Sequence, residues 1–211
     1  MPGLLRETFP VGLLQCNCTI LADTGAGEAI VVDPGDNISR ILEFLSTHKL
    51  ELTQIVVTHG HIDHVGGAVL LRKATGAPIY MNEKDLPQLA IMEQQAGWFS
   101  IPTPEVAPPD VNAVQGTAAA AGGWKGQVLE TPGHTEGSIC IYFPEQTLLL
   151  AGDTLFAGGI GRTDFPGGNS AAMFKSLKDV VLALPDDTQV VPGHGEETVL
   201  GIERATNPFL R

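Results

Sequence analysis

Cations are scarce in this chain. Twelve Lys and Arg stand against 24 Asp and Glu, which leaves a formal charge of −12 with the histidines neutral. No cluster of Lys or Arg breaks the acidic background, so nucleic acid is excluded as the main partner, because affinity for a phosphate backbone needs grouped cations. A polyanionic ligand is disfavoured in the same way, except where one local cation meets it. Cysteine is equally sparse: Cys16, Cys18 and Cys140 are an odd number, and a bridge between Cys16 and Cys18 would be strained, which argues against a disulfide framework. No apolar stretch approaches the ~18 residues that span a bilayer. Residues 1–10 lack a basic segment followed by an apolar run, so no membrane partner is expected and the cytoplasm is the expected location. In a cytosolic chain the glycosylation patterns at Asn17 and Asn37 carry no meaning. A Gly-x-Ser-x-Gly turn is also missing, which removes the commonest serine-hydrolase signature.

What is present is a chain able to build a core. Of its 211 residues 43% are apolar and only 17% charged, a length and composition suited to one domain or at most two small ones, and not to a disordered acidic protein. Short apolar runs bounded by turn residues predict paired strands at 19–22 and 29–33 around Asp23-Thr24-Gly25, and further strands at 54–57, 78–81, 127–131, 138–143, 148–151 and 189–191. A helix should start at Asn37 or Ser39, with Ile38, Ile41, Leu42 and Leu45 on one stripe. Others are expected at about 65–74, 170–184 and 196–205. The two comparable sets of strands and helices suggest a layered α/β domain over residues 1–211, built from two related halves. Between them, residues 86–126 hold five of the 15 prolines, both tryptophans and four charged residues; this insert reads as a packed loop or a lid. The run Ala118 to Ala121 before Gly122-Gly123 reads as a small-residue hairpin.

Five of the six histidines fall in short Gly-flanked segments that follow apolar runs. His59, His61 and His64 share one with Asp63, and His134 follows Thr131-Pro132-Gly133. Asp153 lies in Ala151-Gly152-Asp153-Thr154, and His194 in Val191-Pro192-Gly193-His194-Gly195. On a helix, His59 and His61 would lie about 200° apart and could not share an ion, so this cluster belongs on a loop leaving a strand. There His59 and His61 can converge on one cation while Asp63 and His64, at the start of the next helix, face a second. Imidazole with carboxylate suits zinc, iron or manganese, and the lack of thiolate ligands argues against a closed structural zinc site.

His-Gly-His-Ile-Asp-His followed by His134, Asp153 and His194 resembles the metallo-β-lactamase superfamily, over essentially the whole chain. Aspartate at 153 is similar to the glyoxalase II and persulfide dioxygenase branch. Gly159 to Phe165 and the closing Asn207-Pro208-Phe209-Leu210 resemble the short glyoxalase-II-like hydrolases. The resemblance implies an αββα sandwich with the site at one edge and two divalent ions, zinc foremost and iron or manganese as alternatives. It assigns His59, His61 and His134 to one ion, Asp63, His64 and His194 to the other, and Asp153 to a bridge. It implies hydrolysis of a thioester such as S-lactoylglutathione by a hydroxide held between the metals, with Asp63 orienting it and taking its proton. The partner is then a small acyl-thiol substrate, glutathione-based. An iron-dependent persulfide dioxygenase, a hydrolase of another ester, lactone or phosphoester, and a metal-binding protein without catalysis are the rival readings.

Among the remaining signals, Arg162 could pair with a substrate carboxylate or with Asp164 or Asp153. Asp33 ends a buried strand and could accept a proton from a ligand histidine, or simply serve a turn. Cys140 reads as buried packing.

Overall fold

The computed structural model describes residues 3–210. Two six-stranded sheets divide the chain between them. Strands β1 (Leu4–Val11), β2 (Cys16–Asp23), β3 (Glu28–Val32), β4 (Glu51–Val56), β5 (Ile79–Met81) and β6 (Val111–Asn112) follow one another in sequence order across the first sheet. Its first three strands are antiparallel and β3 through β6 run parallel. The second sheet is built from β7 (Ala118–Ala121), β8 (Trp124–Glu130), β9 (Ile139–Phe143) and β10 (Leu148–Gly152). It is completed, past the small hairpin of β11 (Leu155–Phe156) and β12 (Gly159–Ile160), by β13 (Gln189–Pro192) and β14 (Thr198–Val199).

Period-two alternation explains the layering. In β2 and β3, Leu21 and Ile30 enter the core between the sheets, whereas Ile20, Ala22 and Val31 pack outward against helices. The same alternation splits β9: Ile139 and Ile141 face the first sheet, and Cys140 faces the opposite side. Helices α1 (Ile38–His48), α2 (Ile62–Val65) and α3 (Ala68–Thr75) cover the first sheet through Ile41, Leu45, Val65, Val69 and Leu71. Beyond α4 (Leu86–Ala90) and α5 (Met92–Phe99), helix α6 (Ser170–Asp179) and α7 (Leu200–Thr206) cover the second sheet through Met173, Leu177 and Leu200. The order helix, sheet, sheet, helix is the expected four-layer sandwich. Among the described residues no helix is long and apolar enough to cross a membrane.

Several elements depart from the sequence expectations. The helix expected at 65–74 begins at Ala68, separated from α2 by Gly66-Gly67, and a Cβ at Gly67 would stand 2.2 Å from the Pro34 carbonyl oxygen. This close approach locks the first turn after the histidine loop against the Pro34-Gly35 turn. The helix expected at 196–205 begins only at Leu200: β-branched Thr198 and Val199 pair with Val190 and Gln189 as an edge strand. The helix expected at 170–184 ends at Asp179 and is followed by a 3₁₀ turn, Val181–Ala183. Strand β1 was not expected at all. The 86–126 insert is not a bare loop; it carries α4, α5 and an edge strand of each sheet. Ala118 to Ala121 does form a hairpin with β8 across Gly122-Gly123.

Candidate metal centre

All the candidate ligands stand just beyond the C-terminal ends of strands. The loop after β4 carries His59 and His61 and leads into α2 with Asp63 and His64. His134 follows β8, Asp153 follows β10 and His194 follows β13. The structure brings these seven side chains together. His61 Nδ1 lies 3.0 Å from His59 Nε2 and 2.9 Å from His134 Nε2, forming one triad. In a second triad, His194 Nε2 lies 3.0 Å from Asp63 Oδ2 and 3.4 Å from His64 Nε2. Asp153 stands between them: its Oδ2 is 3.4 Å from His134 Nε2, and its Oδ1 is 3.4 Å from His64 Nε2.

Four of the five outer ring nitrogens have partners, and these fix which nitrogen of each ring faces inward. His64 Nδ1 donates to Asp33 Oδ2 at 2.9 Å, His134 Nδ1 to the Arg162 carbonyl at 2.7 Å, and His194 Nδ1 to the Leu14 carbonyl at 3.1 Å. His59 Nδ1 donates to Thr58 Oγ1 at 3.1 Å, and that hydroxyl in turn donates to Asp33. Four imidazoles therefore direct Nε2 into the centre, and His61 directs Nδ1. Burial pushes His59 well below the ordinary histidine range; burial and His134 push His61 down to about 3. Both are neutral at physiological pH, with lone pairs free to coordinate.

The second triad lies in a field that favours positive charge. Burial opposes protonation of His64, yet Cys16, Asp63, Asp33 and Asp153 raise it well above the histidine range. Burial likewise works against ionised Asp63, but His64 and His194 hold it below the usual carboxylate range. Asp153 Oδ1 is buried and accepts no hydrogen bond, an expensive state for a carboxylate oxygen that a cation would relieve. Room for it is kept by Gly193, where a Cβ would stand 2.2 Å from Asp153 Oδ1. Seven N and O donors in two triads joined by one carboxylate, with an orphaned oxygen between them, fit two divalent ions.

Above the centre lies a cavity of about 420 Å³, walled by Trp98, Phe99, Phe156 and Phe165 and rimmed by Arg162. Trp98 stacks on Phe165 with ring centroids 5.8 Å apart and planes 9° from parallel, so the insert does contribute a wall facing the site. The Arg162 guanidinium lies 3.8 Å over the Phe165 ring and forms two hydrogen bonds of 2.7 Å to Asp164. It pairs with Asp164, not Asp153. Cys140 is fully buried between Thr131 and the Ala151 carbonyl.

Sequence reasoning missed Asp85. Its buried carboxylate accepts from Gly60 N at 2.8 Å, Thr135 Oγ1 at 2.7 Å and Gly137 N at 2.6 Å, tying the His59–His61 loop to the His134 loop. Gln95 ties the same histidine loop to α5, accepting from Ile62 N and donating to the Gly60 carbonyl. These partners are distant in sequence, and no local pattern announces them.

Comparison with known proteins agrees with this architecture. Hydroxyacylglutathione hydrolase GloC of Haemophilus influenzae is 37% identical over 97% of both chains. Among solved structures, the B3 metallo-beta-lactamase BLEG-1 superposes with a TM-score of 0.89 at 31% identity, covering 98% of this chain and 99% of that one. A di-iron-bound form of TTHA1623 superposes with a TM-score of 0.84 at 37% identity, covering 97% of this chain and all of the other. The family model of the metallo-beta-lactamase superfamily matches residues 11–194, and the chain belongs to that superfamily of metallo-hydrolases.

Proposed function

We propose that the protein hydrolyses a small acyl thioester, of which S-lactoylglutathione is an example, at a dinuclear metal centre formed by His59, His61 and His134 on one side and Asp63, His64 and His194 on the other, with Asp153 between. The observation that carries this reading is Asp153, whose two carboxylate oxygens each face a different triad. The similarity to a hydroxyacylglutathione hydrolase supports the thioester, and the di-iron form of a similar protein leaves iron beside zinc and manganese as the candidate ions.

Two divalent ions bound here would lower the pKa of a coordinated water toward ~7 and polarise the substrate carbonyl. The chain's own residues do the rest. Asp63 Oδ2 points into the centre, so it can orient the attacking water and take its proton. Trp98, Phe99 and Phe165 exclude bulk water from one side of the carbonyl, which strengthens every electrostatic contact inside. The leaving thiolate, with a conjugate-acid pKa near ~8.5, departs without a strong general acid, and among the described residues no Lys or Tyr lines the cavity to act as one. Arg162 stands at the rim, where an anionic thiol carrier would pass.

The test is to measure metal content of the purified protein, then thioester loss with S-lactoylglutathione and oxygen uptake with glutathione persulfide in parallel. Two equivalents of metal, thioester loss and no oxygen uptake are expected. Oxygen uptake without thioester loss would overturn the proposal in favour of a dioxygenase. Loss of neither at full metal occupancy would point to another ester, a lactam, a lactone or a phosphoester.

A further inference from the structure

A second cavity, of about 340 Å³, adjoins the first and shares Leu14, Ile62 and Asp63 with it. The two therefore meet at Asp63, whose carboxylate faces the candidate metal centre, beside where the scissile carbonyl would lie. Their chemistry differs. The first is aromatic and carries Arg162, the one Lys or Arg lining either cavity among the described residues. The second is walled by Leu13, Ile38, Leu70 and Ile101 with Pro102 and Pro104, and its charged groups are two acids, Asp36 and Asp63. Leu13 and Leu70 stand 68% and 54% exposed, so apolar surface is left uncovered beside the site, of the kind that marks a binding groove. A glutathione-like carrier bears carboxylates, which Asp36 repels and which meet no Lys or Arg in the second cavity among the described residues; a neutral hydrocarbon arm meets no such penalty and gains from burial.

Resting on the thioester reading, we propose that the second cavity holds the acyl arm of the substrate, and that the protein is selective for thioesters with an apolar acyl chain of several carbons over the short, hydroxylated lactoyl group. The carrier then lies in the first cavity beneath Arg162, and the two arms diverge over Asp63. The two prolines in one wall fix backbone torsions, so the groove is formed in advance and selects by chain length.

S-Methylglutathione and S-hexylglutathione test this without any turnover, since both are thioethers whose alkyl group stands where the acyl arm would. Calorimetric titration of the metal-loaded protein should show the hexyl compound binding at least tenfold tighter. Leu70→Asp, on the exposed face of α3, should bring the hexyl affinity to within about twofold of the methyl one. Leu70→Gln, which adds no charge, should give an intermediate loss, and thermal unfolding of both variants should match the parent. Equal affinities in the parent, or a hexyl advantage retained in Leu70→Asp, would overturn the proposal. So would a parent dimer in light scattering that Leu70→Asp dissolves, because the groove would then belong to a second copy of the chain. Hydrolysis of hexanoyl and lactoyl thioesters is measured alongside. Hydrolysis with equal alkyl affinities sinks the acyl-arm assignment alone; no hydrolysis with a Leu70-dependent hexyl advantage sinks the thioester reading and leaves the apolar subsite standing.

Discussion

His64 Nδ1 donates to the buried carboxylate of Asp33 at 2.9 Å, which turns Nε2 toward Asp63 and Asp153. Asp33 also accepts from Thr58 N and Thr58 Oγ1, each at 2.7 Å, so its two oxygens receive three donors. An amide in its place would present N–H groups to at least one of them. The backbone does not forbid the exchange, since Asp33 has φ of 53°, a left-handed conformation that Asn tolerates. Asp33→Asn should therefore fold and weaken one of two metal ions by roughly 10–100-fold, the cost typical of losing such a support. Competition titration against a chelator checks this; two ions bound as tightly as in the parent would contradict it.

Gly193 and Asp153 are coupled by space alone. A methyl group at 193 would stand 2.2 Å from Asp153 Oδ1 and 2.8 Å from His64 Cε1, closer than any real carbon contact. Both neighbours belong to the candidate centre, so the strain falls on proposed ligands and not on a free side chain. Gly193→Ala should leave the circular dichroism spectrum unchanged while metal content drops below one equivalent and thioester hydrolysis falls more than about 100-fold. Full metal content in the folded variant would show that Asp153 is not needed where it stands.

How much of this was legible in the sequence follows from how local each signal is. The strands at Glu28–Val32 and Ile139–Phe143 are short apolar runs whose neighbours face opposite cores, and such runs are readable. His59, His61, Asp63 and His64 are packed into six positions, and their spacing alone demands a loop followed by a helix start. Strand β1 was not readable: Leu4–Val11 includes Arg6, Glu7 and Pro10, and only Phe9 and Val11 are buried in it. Its strand state comes from pairing with β2, not from its own pattern. Asp85 was invisible for the same reason, because its three donors lie 25, 50 and 52 positions away. The cavity walls, too, are assembled from the 12–15 turn, α5 and the 160–165 loop, which only the fold brings together.

Arg162 is held in a fork by Asp164, which keeps that carboxyl at about 2, well below its usual value, chiefly through the hydrogen bonds from the guanidinium. Both side chains are more than half exposed, so the pair is screened and contributes little to stability. Its importance lies in competition: Asp164 occupies the donors that a substrate carboxylate would use. Asp164→Asn should lower KM for an anionic thioester about threefold, and Arg162→Ala should raise it by a similar factor, each with kcat little changed. Steady-state kinetics at low ionic strength are the check, and an unchanged KM in both variants would remove Arg162 from substrate binding.

Asp23 joins the turns of two hairpins, one in each sheet. Its Oδ2 accepts from Gly123 N at 2.8 Å, and its Oδ1 accepts from Gly25 N and Ala26 N at 2.8 and 3.2 Å. These bonds, from Gly123 foremost, hold its pKa below the carboxylate range. A carboxyl with a lowered folded pKa contributes stability that is fully present above its unfolded value of about 3.9 and is lost as pH falls through the folded value. Urea unfolding should thus show the parent more stable than Asp23→Asn at pH 6, with the gap closing toward pH 2.5. A gap independent of pH would assign the effect to packing.

The two tryptophans report on different parts of the molecule. Trp124 is buried between the sheets, donates Nε1–H to the Ala22 carbonyl at 2.9 Å and meets Phe143 edge to face, so a ligand at the metal centre cannot reach it. Trp98 is 43% exposed, lines the first cavity and stacks on Phe165. Ligand entering that cavity must therefore change the emission of Trp98 alone. S-Hexylglutathione should quench or shift the fluorescence of the parent, and Trp98→Phe, which keeps an aromatic face against Phe165, should abolish the response while preserving affinity within about threefold. Trp98→Ala removes the face as well; it should raise KM by about three- to tenfold with a change in stability within about 1 kcal/mol, as expected for a half-exposed side chain outside the core. A fluorescence response that survives in Trp98→Phe would place the ligand elsewhere, because only Trp124 would remain to report it.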